Sequence, residues 1–207
     1  HGHNQWGEMK TIPESVLTEP HFQSMRARNK RRASYSGPMV TFPIRWAYDR
    51  KVMGVNGGRS KGGVILIDMS GSMSIGARHI EQALIDLPAA TIYGYAGSGC
   101  TGSLIPIANK GRMIKPYELD EQVDLAGGGN TVDGPALDWL AKQKGPRVWV
   151  SDGCVFGANN ECTQWHFRYV ANVCVRFEIP RYDSLNEAID KLVKQQGGVR
   201  KSKTMNV

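Results

Sequence analysis

The sequence predicts an α/β protein in which helices cover a mostly parallel, doubly wound sheet. From Gly63 onward, apolar runs of strand length alternate with segments whose apolar residues recur at helical spacing. This alternation is typical of a parallel sheet that helices bury. The chain has 207 residues, of which 41% are hydrophobic and 22% charged, so its size and composition suit a globular protein with one main core.

Five apolar runs are predicted to be strands, at residues 64–68, 90–96, 103–108, 147–151 and 173–178. Three segments are predicted to be helices, because each places its apolar side chains on one face. They are "ARHIEQALIDL" from Ala77, "TVDGPALDWLAKQ" from Thr131 and "SLNEAIDKLVKQ" from Ser184. The third helix also begins with a capping box, in which Ser184 and Glu187 are three residues apart.

The segments outside this region differ in composition. Residues 1–36 have no clear helical or strand period and include the basic run "MRARNKRR", so we expect an extended basic arm that wraps the domain or meets a partner. Residues 37–61 alternate apolar and polar side chains and end in "NGGRSK", the first six residues of a glycine-rich stretch, which predicts a short β-hairpin and a hinge. Residues 197–207 are predicted to be a basic tail, which leaves the α/β domain at 62–196.

The net charge of +7 favours an acidic partner such as nucleic acid or an acidic protein surface. For the basic run itself, a solvated linker is the favoured explanation. No apolar run reaches the roughly 18 residues that span a bilayer, and no secretory signal begins the chain, so we expect a cytoplasmic protein without a membrane partner. The candidate nucleic-acid contacts are Arg26, Arg28, Lys30, Arg31 and Arg32.

Several stretches match familiar catalytic or ligand-binding motifs, but the neighbouring predicted strands and helices, or the spacing of the residues, do not support those functions. The G-x-S-x-G pattern around Ser60 precedes a strand instead of following one, so it does not predict a catalytic serine. The glycines from Gly97 to Gly102 are followed by a β-like run instead of a helix, which favours a hairpin turn over a dinucleotide site. Cys154, Cys162 and His166 are too loosely spaced to predict zinc.

Three oxygen-bearing side chains follow the first predicted strand. Asp68 ends the apolar run "VILID", and Ser70 and Ser72 occupy alternate positions after it, at the edge where parallel α/β sheets form ligand sites. A hard cation such as Mg²⁺ prefers oxygen ligands. The aspartate offers an anionic oxygen and the serines offer neutral ones, while Gly71 makes a tight turn between them easier.

Two further loops are predicted to reach the same edge of the sheet. "GGGNT" ends in Thr131 just before a helix, and Asp152 follows the strand at 147–151 as Asp68 follows the first strand. Each residue alone is well explained as a helix cap or a turn residue. The combination favours a single metal site with the ligands Asp68, Ser70, Ser72, Thr131 and Asp152.

These stretches carry a family resemblance. "DMSGS" matches the D-x-S-x-S motif of von Willebrand factor type A domains, with "GGGNT" at the place of the family's threonine motif and "SDG" at that of its distal aspartate. About residues 62–196 resemble such a domain with a metal-ion-dependent adhesion site. The resemblance implies a Rossmann-like sheet with one antiparallel strand.

The resemblance also implies a role for each ligand. The first loop would hold the metal directly, Thr131 would bind it directly or through water, and Asp152 would act mainly through water. Whether Asp124 or Asp133 assists the site is left open by the sequence.

Members of this family mostly bind other proteins, because the metal keeps one position for a carboxylate of the partner. The resemblance therefore implies a Mg²⁺-dependent protein-interaction module, with Mn²⁺ or Ca²⁺ as alternative ions and an Asp or Glu of a partner protein as the incoming ligand. The stretch "SGSM" resembles intracellular members, namely chelatase subunits, companions of MoxR-type AAA+ ATPases and the A domain of the Ro ribonucleoprotein. An AAA+ ATPase in a larger assembly is thus one expected partner.

Two other functions compete with this one. A protein that binds RNA or DNA would use the basic arm and tail on phosphates, and its affinity would fall steeply with salt. A hydrolase would use a metal-activated water. However, His79 and His166, the only histidines after residue 61, adjoin no motif that would make either a general base. We therefore expect a binding protein more than an enzyme.

Overall fold

A mixed sheet of eight strands, with five helices packed against it, forms the described part of the protein in this computed structural model. The structure describes residues 5–20, 63–73, 75–87, 90–109 and 112–195. The predicted hairpin, the basic run and the basic tail lie outside these residues. The α/β class and the mostly parallel sheet are confirmed. No helix in the described ranges has the length and apolarity needed to cross a membrane.

The strands are β1 Glu8–Thr11, β2 Glu19–Pro20, β3 Val64–Asp68, β4 Thr91–Ser98, β5 Thr101–Asn109, β6 Arg112–Met113, β7 Arg147–Val150 and β8 Arg181–Tyr182. The helices are α1 Ala77–Asp86, α2 Pro116–Ala126, α3 Asp133–Ala141, α4 Gln164–Arg176 and α5 Leu185–Gln195. Short 3₁₀ turns occur at Glu14–Val16 and Ala158–Asn160.

The strand order is β2-β6-β5-β4-β3-β7-β8, and β1 pairs with β5. β3 lies between β4 and β7, and all three are parallel, so their carboxyl ends meet at one edge of the sheet. β5 returns antiparallel to β4 through a two-residue turn at Gly99 and Cys100, which confirms the hairpin turn predicted between Gly97 and Gly102. Among the described residues, β1, β2 and β5 run opposite to β3, and of these three only β5 lies between residues 63 and 195.

Both faces of the central strand β3 are buried, which explains its unbroken apolar run. Successive side chains of a strand point to opposite faces. Ile65 and Ile67 pack in the core formed with α1, α2 and α5. Val64 and Leu66 pack in the core formed with α3 and α4. The helices therefore cover the sheet on both sides.

The strand predicted at 173–178 is wrong, because these residues complete helix α4 and the turn after it. Val170 and Val173 are buried and three residues apart, whereas Val175 is 80% exposed. Buried residues three positions apart are typical of a helix. The valines of this segment are β-branched and also favour strands, so the sequence pattern alone does not distinguish the two structures. Helices α2 and α4 were not predicted, and the last strand of the sheet is only the two residues of β8.

The described part of the predicted N-terminal arm contributes strands to the sheet. β1 pairs parallel to β5, and β2 pairs antiparallel to β6. The side chains of β1 are mostly exposed, so the segment has no apolar alternation from which a strand could be predicted. This part of the arm therefore lies along the domain, where its backbone hydrogen bonds hold it.

Candidate metal centre

Asp68 is the last residue of β3, and its side chain is fully buried at the carboxyl edge of the sheet. Its Oδ1 accepts a hydrogen bond from the backbone N–H of Ser70 at 2.9 Å. Its Oδ2 accepts one from the hydroxyl of Ser151 at 3.1 Å. The first bond is the usual way in which an aspartate stabilises a turn two residues ahead of it. The two bonds together fix the orientation of the carboxylate.

The two serines of the motif lie side by side in the same turn. Ser70 Oγ and Ser72 Oγ are 3.1 Å apart, within hydrogen-bonding distance. Ser70 is buried, and Ser72 is exposed. A hydroxyl has two acceptor lone pairs, so this pair retains oxygen lone pairs that a cation can use. Residues 68–73 are here called the β3 loop. This loop therefore brings one carboxylate and two hydroxyls together where the core meets the surface.

Residues 127–131, here called the threonine loop, lie directly against the β3 loop. The N–H of Gly71 donates to a carbonyl of the threonine loop at 3.0 Å, and the N–H of Gly97 in β4 donates to that of Gly129 at 2.7 Å. A β-carbon at Gly129 would lie 2.6 Å from the carbonyl oxygen of Gly97. Only glycine permits so close a backbone approach. This approach brings Thr131 to the carboxyl edge of β4.

The hydroxyl of Thr131 is buried and unsatisfied. Thr131 is 0% exposed, and its Oγ1 has no hydrogen-bond partner among the described residues. A buried polar group without a partner costs about 1–3 kcal/mol. The hydroxyl lies next to β4, 2.9 Å from where a β-carbon of Gly97 would be. An orphaned oxygen at this edge fits a residue whose natural partner is a bound ligand.

Asp152 follows β7 as Asp68 follows β3, and it is half-buried. Its Oδ1 accepts a hydrogen bond from the N–H of Cys154 at 2.9 Å. The preceding residue, Ser151, is fully buried. Its Oγ accepts from the N–H of Gly153 at 3.1 Å while it donates to Asp68. Ser151 therefore joins the loop after β7 to the carboxylate at the end of β3.

Asp133 is a second fully buried carboxylate near the site. Its Oδ1 accepts a hydrogen bond from the hydroxyl of Tyr95 at 2.7 Å, and its Oδ2 accepts one from the N–H of Phe156 at 3.1 Å. Trp149 Nε1 donates in turn to the Tyr95 hydroxyl at 3.0 Å. Both carboxylate oxygens thus have protein donors. Asp124 lies exposed on α2, so of the two candidate helpers only Asp133 lies beside Asp68 in the protein interior.

The electrostatics of this edge favour a cation. Burial raises the pKa of the Asp68 carboxyl, and the charge of Asp152 raises it further, while the hydrogen bonds from Ser70 and Ser151 partly lower it. Burial, and then the charge of Asp68, raises the pKa of Asp133 well above its ordinary value. Carboxylates that are buried close together raise one another's pKa. A bound cation would reverse this effect by stabilising their ionised forms.

The residues present fit a hard divalent cation. Asp68, Ser70, Ser72, Thr131 and Asp152 offer only oxygen, the donor that Mg²⁺ prefers, and one of these oxygens is orphaned. Nowhere in the described ranges do three or more His, Cys, Asp or Glu side chains group into a metal site. A metal at this edge would therefore depend on hydroxyl ligands as much as on the two carboxylates.

The zinc alternative finds no support in the geometry. Both ring nitrogens of His166 have protein partners, since Nδ1 lies 2.7 Å from the Thr163 hydroxyl and Nε2 lies 2.9 Å from the Gln5 carbonyl oxygen. Cys154 and Cys162 are exposed thiols. His166 therefore joins the first turn of α4 to the N-terminal segment at Gln5. The five basic residues proposed to contact nucleic acid, and Ser60, lie outside the described residues.

Sequence reasoning missed the residues that support the candidate ligands. Ser151 was passed over beside Asp152, although its position directly after a buried strand carries the same signal as Asp68. Tyr95 and Trp149 lie in predicted strands. The Tyr95 hydroxyl donates to Asp133, and Trp149 Nε1 donates to the Tyr95 hydroxyl. No pattern in the sequence pairs these residues, because strand register alone brings β4 and β7 to either side of β3.

The chain matches no protein-family model, no curated protein and no solved structure.

Proposed function

We propose that this protein is a Mg²⁺-dependent protein-interaction module of the von Willebrand factor type A kind. Asp68, Ser70 and Ser72 would hold the ion, with Thr131 and Asp152 completing its surroundings directly or through water. The observation that carries the proposal is the buried Oγ1 of Thr131, which has no hydrogen-bond partner within the described ranges and lies beside the hydrogen-bonded turn of the β3 loop. A purely structural threonine would satisfy its hydroxyl at such a buried position.

The composition of the proposed ligand set supports a binding role. With hydroxyls among the ligands, the protein neutralises the ion only in part, so the ion attracts an outside anion. Ser72 is exposed and Asp152 is half-buried, so the ion would lie at the surface, within reach of a partner. An Asp or Glu side chain of another protein is the simplest anion to fill that position. An AAA+ ATPase is one partner class that the family resemblance suggests.

The proposal is tested by capture of partners on the immobilised chain with Mg²⁺ and with EDTA. We expect one or more proteins to be retained only with Mg²⁺ and to be lost from the Asp68→Ala variant. Asp190→Ala is the matched control, because it removes an exposed aspartate of α5. Added glutarate should release the partner by competing for the ion. Retention that survives both EDTA and Asp68→Ala would contradict the proposal.

Nucleic-acid binding is the competing function, because a basic run at 25–32 contains no acidic residue. Binding of this kind would be insensitive to EDTA and to Asp68→Ala. The logarithm of its association constant would fall linearly with the logarithm of the salt concentration. Neutralising Arg28, Lys30, Arg31 and Arg32 together would weaken it. A filter-binding assay with single-stranded RNA over a salt series separates the two functions.

A further inference from the structure

A chain segment far from the three motifs lies against the threonine loop. Residues 5–11, here called the N-terminal strap, run into β1 at the edge of β5. The N–H of Gly7 donates to the carbonyl oxygen of Thr131 at 3.0 Å. The N–H of Glu8 donates to the carbonyl of Cys100, in the turn between β4 and β5, at 2.8 Å. The strap is therefore bonded directly to the residue whose hydroxyl is orphaned.

Trp6 anchors the strap between two helices. Its indole contacts Gly134 in the first turn of α3 so closely that a β-carbon there would overlap the ring. On the other side it meets residues of α4, with ring centroids 4.8 Å from His166 in an edge-on arrangement and 5.6 Å from Tyr169. Such aromatic contacts contribute about 0.5–1.5 kcal/mol each beyond the area they bury. The anchor thus lies at the start of the helix that follows Thr131.

The strap also holds the loop that follows β7. The carbonyl oxygen of Gln5 accepts a hydrogen bond from the N–H of Ala158 at 2.8 Å and lies 2.9 Å from His166 Nε2. Gly157 has no room for a β-carbon, since one would overlap both of these Gln5 and His166 atoms. The same loop carries Asp152 at its start. The strap therefore braces two of the three loops that form the candidate metal centre.

We propose that the N-terminal strap is a positioning element of the metal site, with Trp6 as its anchor and Thr131 as the ligand it places. The proposal rests on the proposed function. Because Thr131 Oγ1 has no hydrogen-bond partner in the part of the chain that the structure describes, no side-chain bond there sets its position. Its place is set by its backbone and by packing, with Gly97 on one side and Gly7 bonded to its carbonyl on the other.

The first test compares two substitutions of the anchor. Trp6→Ala removes the ring that contacts Gly134, and we expect it to weaken Mg²⁺ affinity about tenfold, as loss of a supporting residue does at other metal sites. Trp6→Phe keeps a ring in place. Trp6 Nε1 is buried and has no hydrogen-bond partner among the described residues. The substitution therefore breaks no hydrogen bond observed there, and we expect wild-type Mg²⁺ affinity. Phe167→Ala is the control, because Phe167 is a 43% exposed aromatic of α4 with no ring contact to Trp6.

A second test separates positioning from a general loss of stability. In the Thr131→Val background the ligand is already absent, so Trp6→Ala should cause no further loss of Mg²⁺ affinity while its effect on the melting temperature persists. An equal loss in both backgrounds would overturn the proposal. Gly134→Ala provides an independent displacement of the indole. We expect it to weaken Mg²⁺ binding with Trp6 present and to leave affinity unchanged in the Trp6→Ala chain.

A third measurement tests the strap apart from the metal. If calorimetry shows no Mg²⁺ binding by the wild-type chain, the proposed function fails. Whether the strap positions the threonine loop is then tested by hydrogen exchange of the backbone amides at 130–133. We expect Trp6→Ala to accelerate exchange there by at least tenfold while β3 and β4 keep their protection. Unchanged exchange at 130–133, or an equal acceleration throughout the sheet, would overturn the proposal.

Discussion

The β3 loop and the threonine loop lie against each other at the same edge, but they are held in place in different ways. Asp68, Ser70 and Ser72 are bonded within five consecutive residues, so their turn is stabilised locally. Thr131 has no such bond, and its loop is held by β4, the β3 loop and the N-terminal strap. One half of the candidate centre is therefore encoded locally, and the other is assembled by the whole domain.

This difference predicts how each half responds to change. Substitutions in the β3 loop should affect metal binding directly, whereas the threonine loop should respond both to its own substitutions and to distant ones. The supporting contacts include glycines that allow no β-carbon, at Gly97 and Gly129.

The largest effect is expected from Asp68→Asn. The amide keeps one oxygen to accept the Ser70 N–H bond but removes the charge, so the fold should remain. We expect Mg²⁺ binding to become undetectable by calorimetry, because the ion loses its only fully buried anionic ligand. Asp190→Asn, in an exposed position of α5, should bind as the wild type does. Equal Mg²⁺ affinity in Asp68→Asn and the wild type would contradict the assignment of this loop.

A smaller effect is expected from Thr131→Val, which replaces the orphaned hydroxyl by a methyl group of similar size. We expect Mg²⁺ affinity to fall about tenfold and the metal-free chain to be at least as stable as the wild type, because no hydrogen bond is lost. Thr91→Val is the opposite control. Thr91 lies at the start of β4, at the other edge of the sheet, and its hydroxyl donates to Asn109, so the substitution should cost about 0.5–1.5 kcal/mol of stability and leave Mg²⁺ affinity unchanged.

The outcome that would argue against a ligand role is a substantial loss of stability in Thr131→Val with no change in Mg²⁺ binding. Urea unfolding without metal and calorimetry with Mg²⁺ measure the two quantities separately.

The smallest effect concerns pH. Burial raises the pKa of Asp68 above its ordinary value of 3.8, so the folded state holds this proton more tightly than the unfolded state. Its contribution to stability is present below pH 3.8 and is lost as the pH rises through the raised pKa. We expect metal-free wild-type protein to lose stability relative to Asp68→Asn over that window. Saturating Mg²⁺ should abolish the loss by favouring the ionised carboxylate.

Urea unfolding of both proteins over a pH series, with and without Mg²⁺, measures this difference. Parallel pH dependences of the two proteins without metal would show that Asp68 is not the group concerned. A difference that Mg²⁺ fails to remove would show that the ion does not bind this carboxylate.

Sequence patterns predicted the parts of the fold that depend on local apolar spacing. The buried strand ending at Asp68 and the helices beginning near Ala77 and Leu185 were placed correctly, because their faces are regular. The strand predicted at 173–178 was wrong because the valines of α4 suit either structure. The position of β1 could not be predicted, since its pairing with β5 comes from backbone bonds and not from side-chain alternation.

The candidate ligands follow the same division. Asp68, Ser70 and Ser72 form a short motif, so they could be predicted together. The buried hydrogen bonds of Ser151 to Asp68 and of Tyr95 to Asp133 join residues 83 and 38 positions apart, and sequence spacing carries no trace of them. The contact of Trp6 with the start of α3 likewise depends on the folded chain.

The most direct test of a metal site at this edge is a Mg²⁺ titration of the wild-type chain followed through its backbone amide resonances. We expect saturable shifts concentrated at residues 68–73, 129–133 and 151–154, with the rest of the sheet little changed. Shifts in the first stretch without the second would mean that the threonine loop takes no part. No saturable shift in any of the three stretches would contradict the metal site itself.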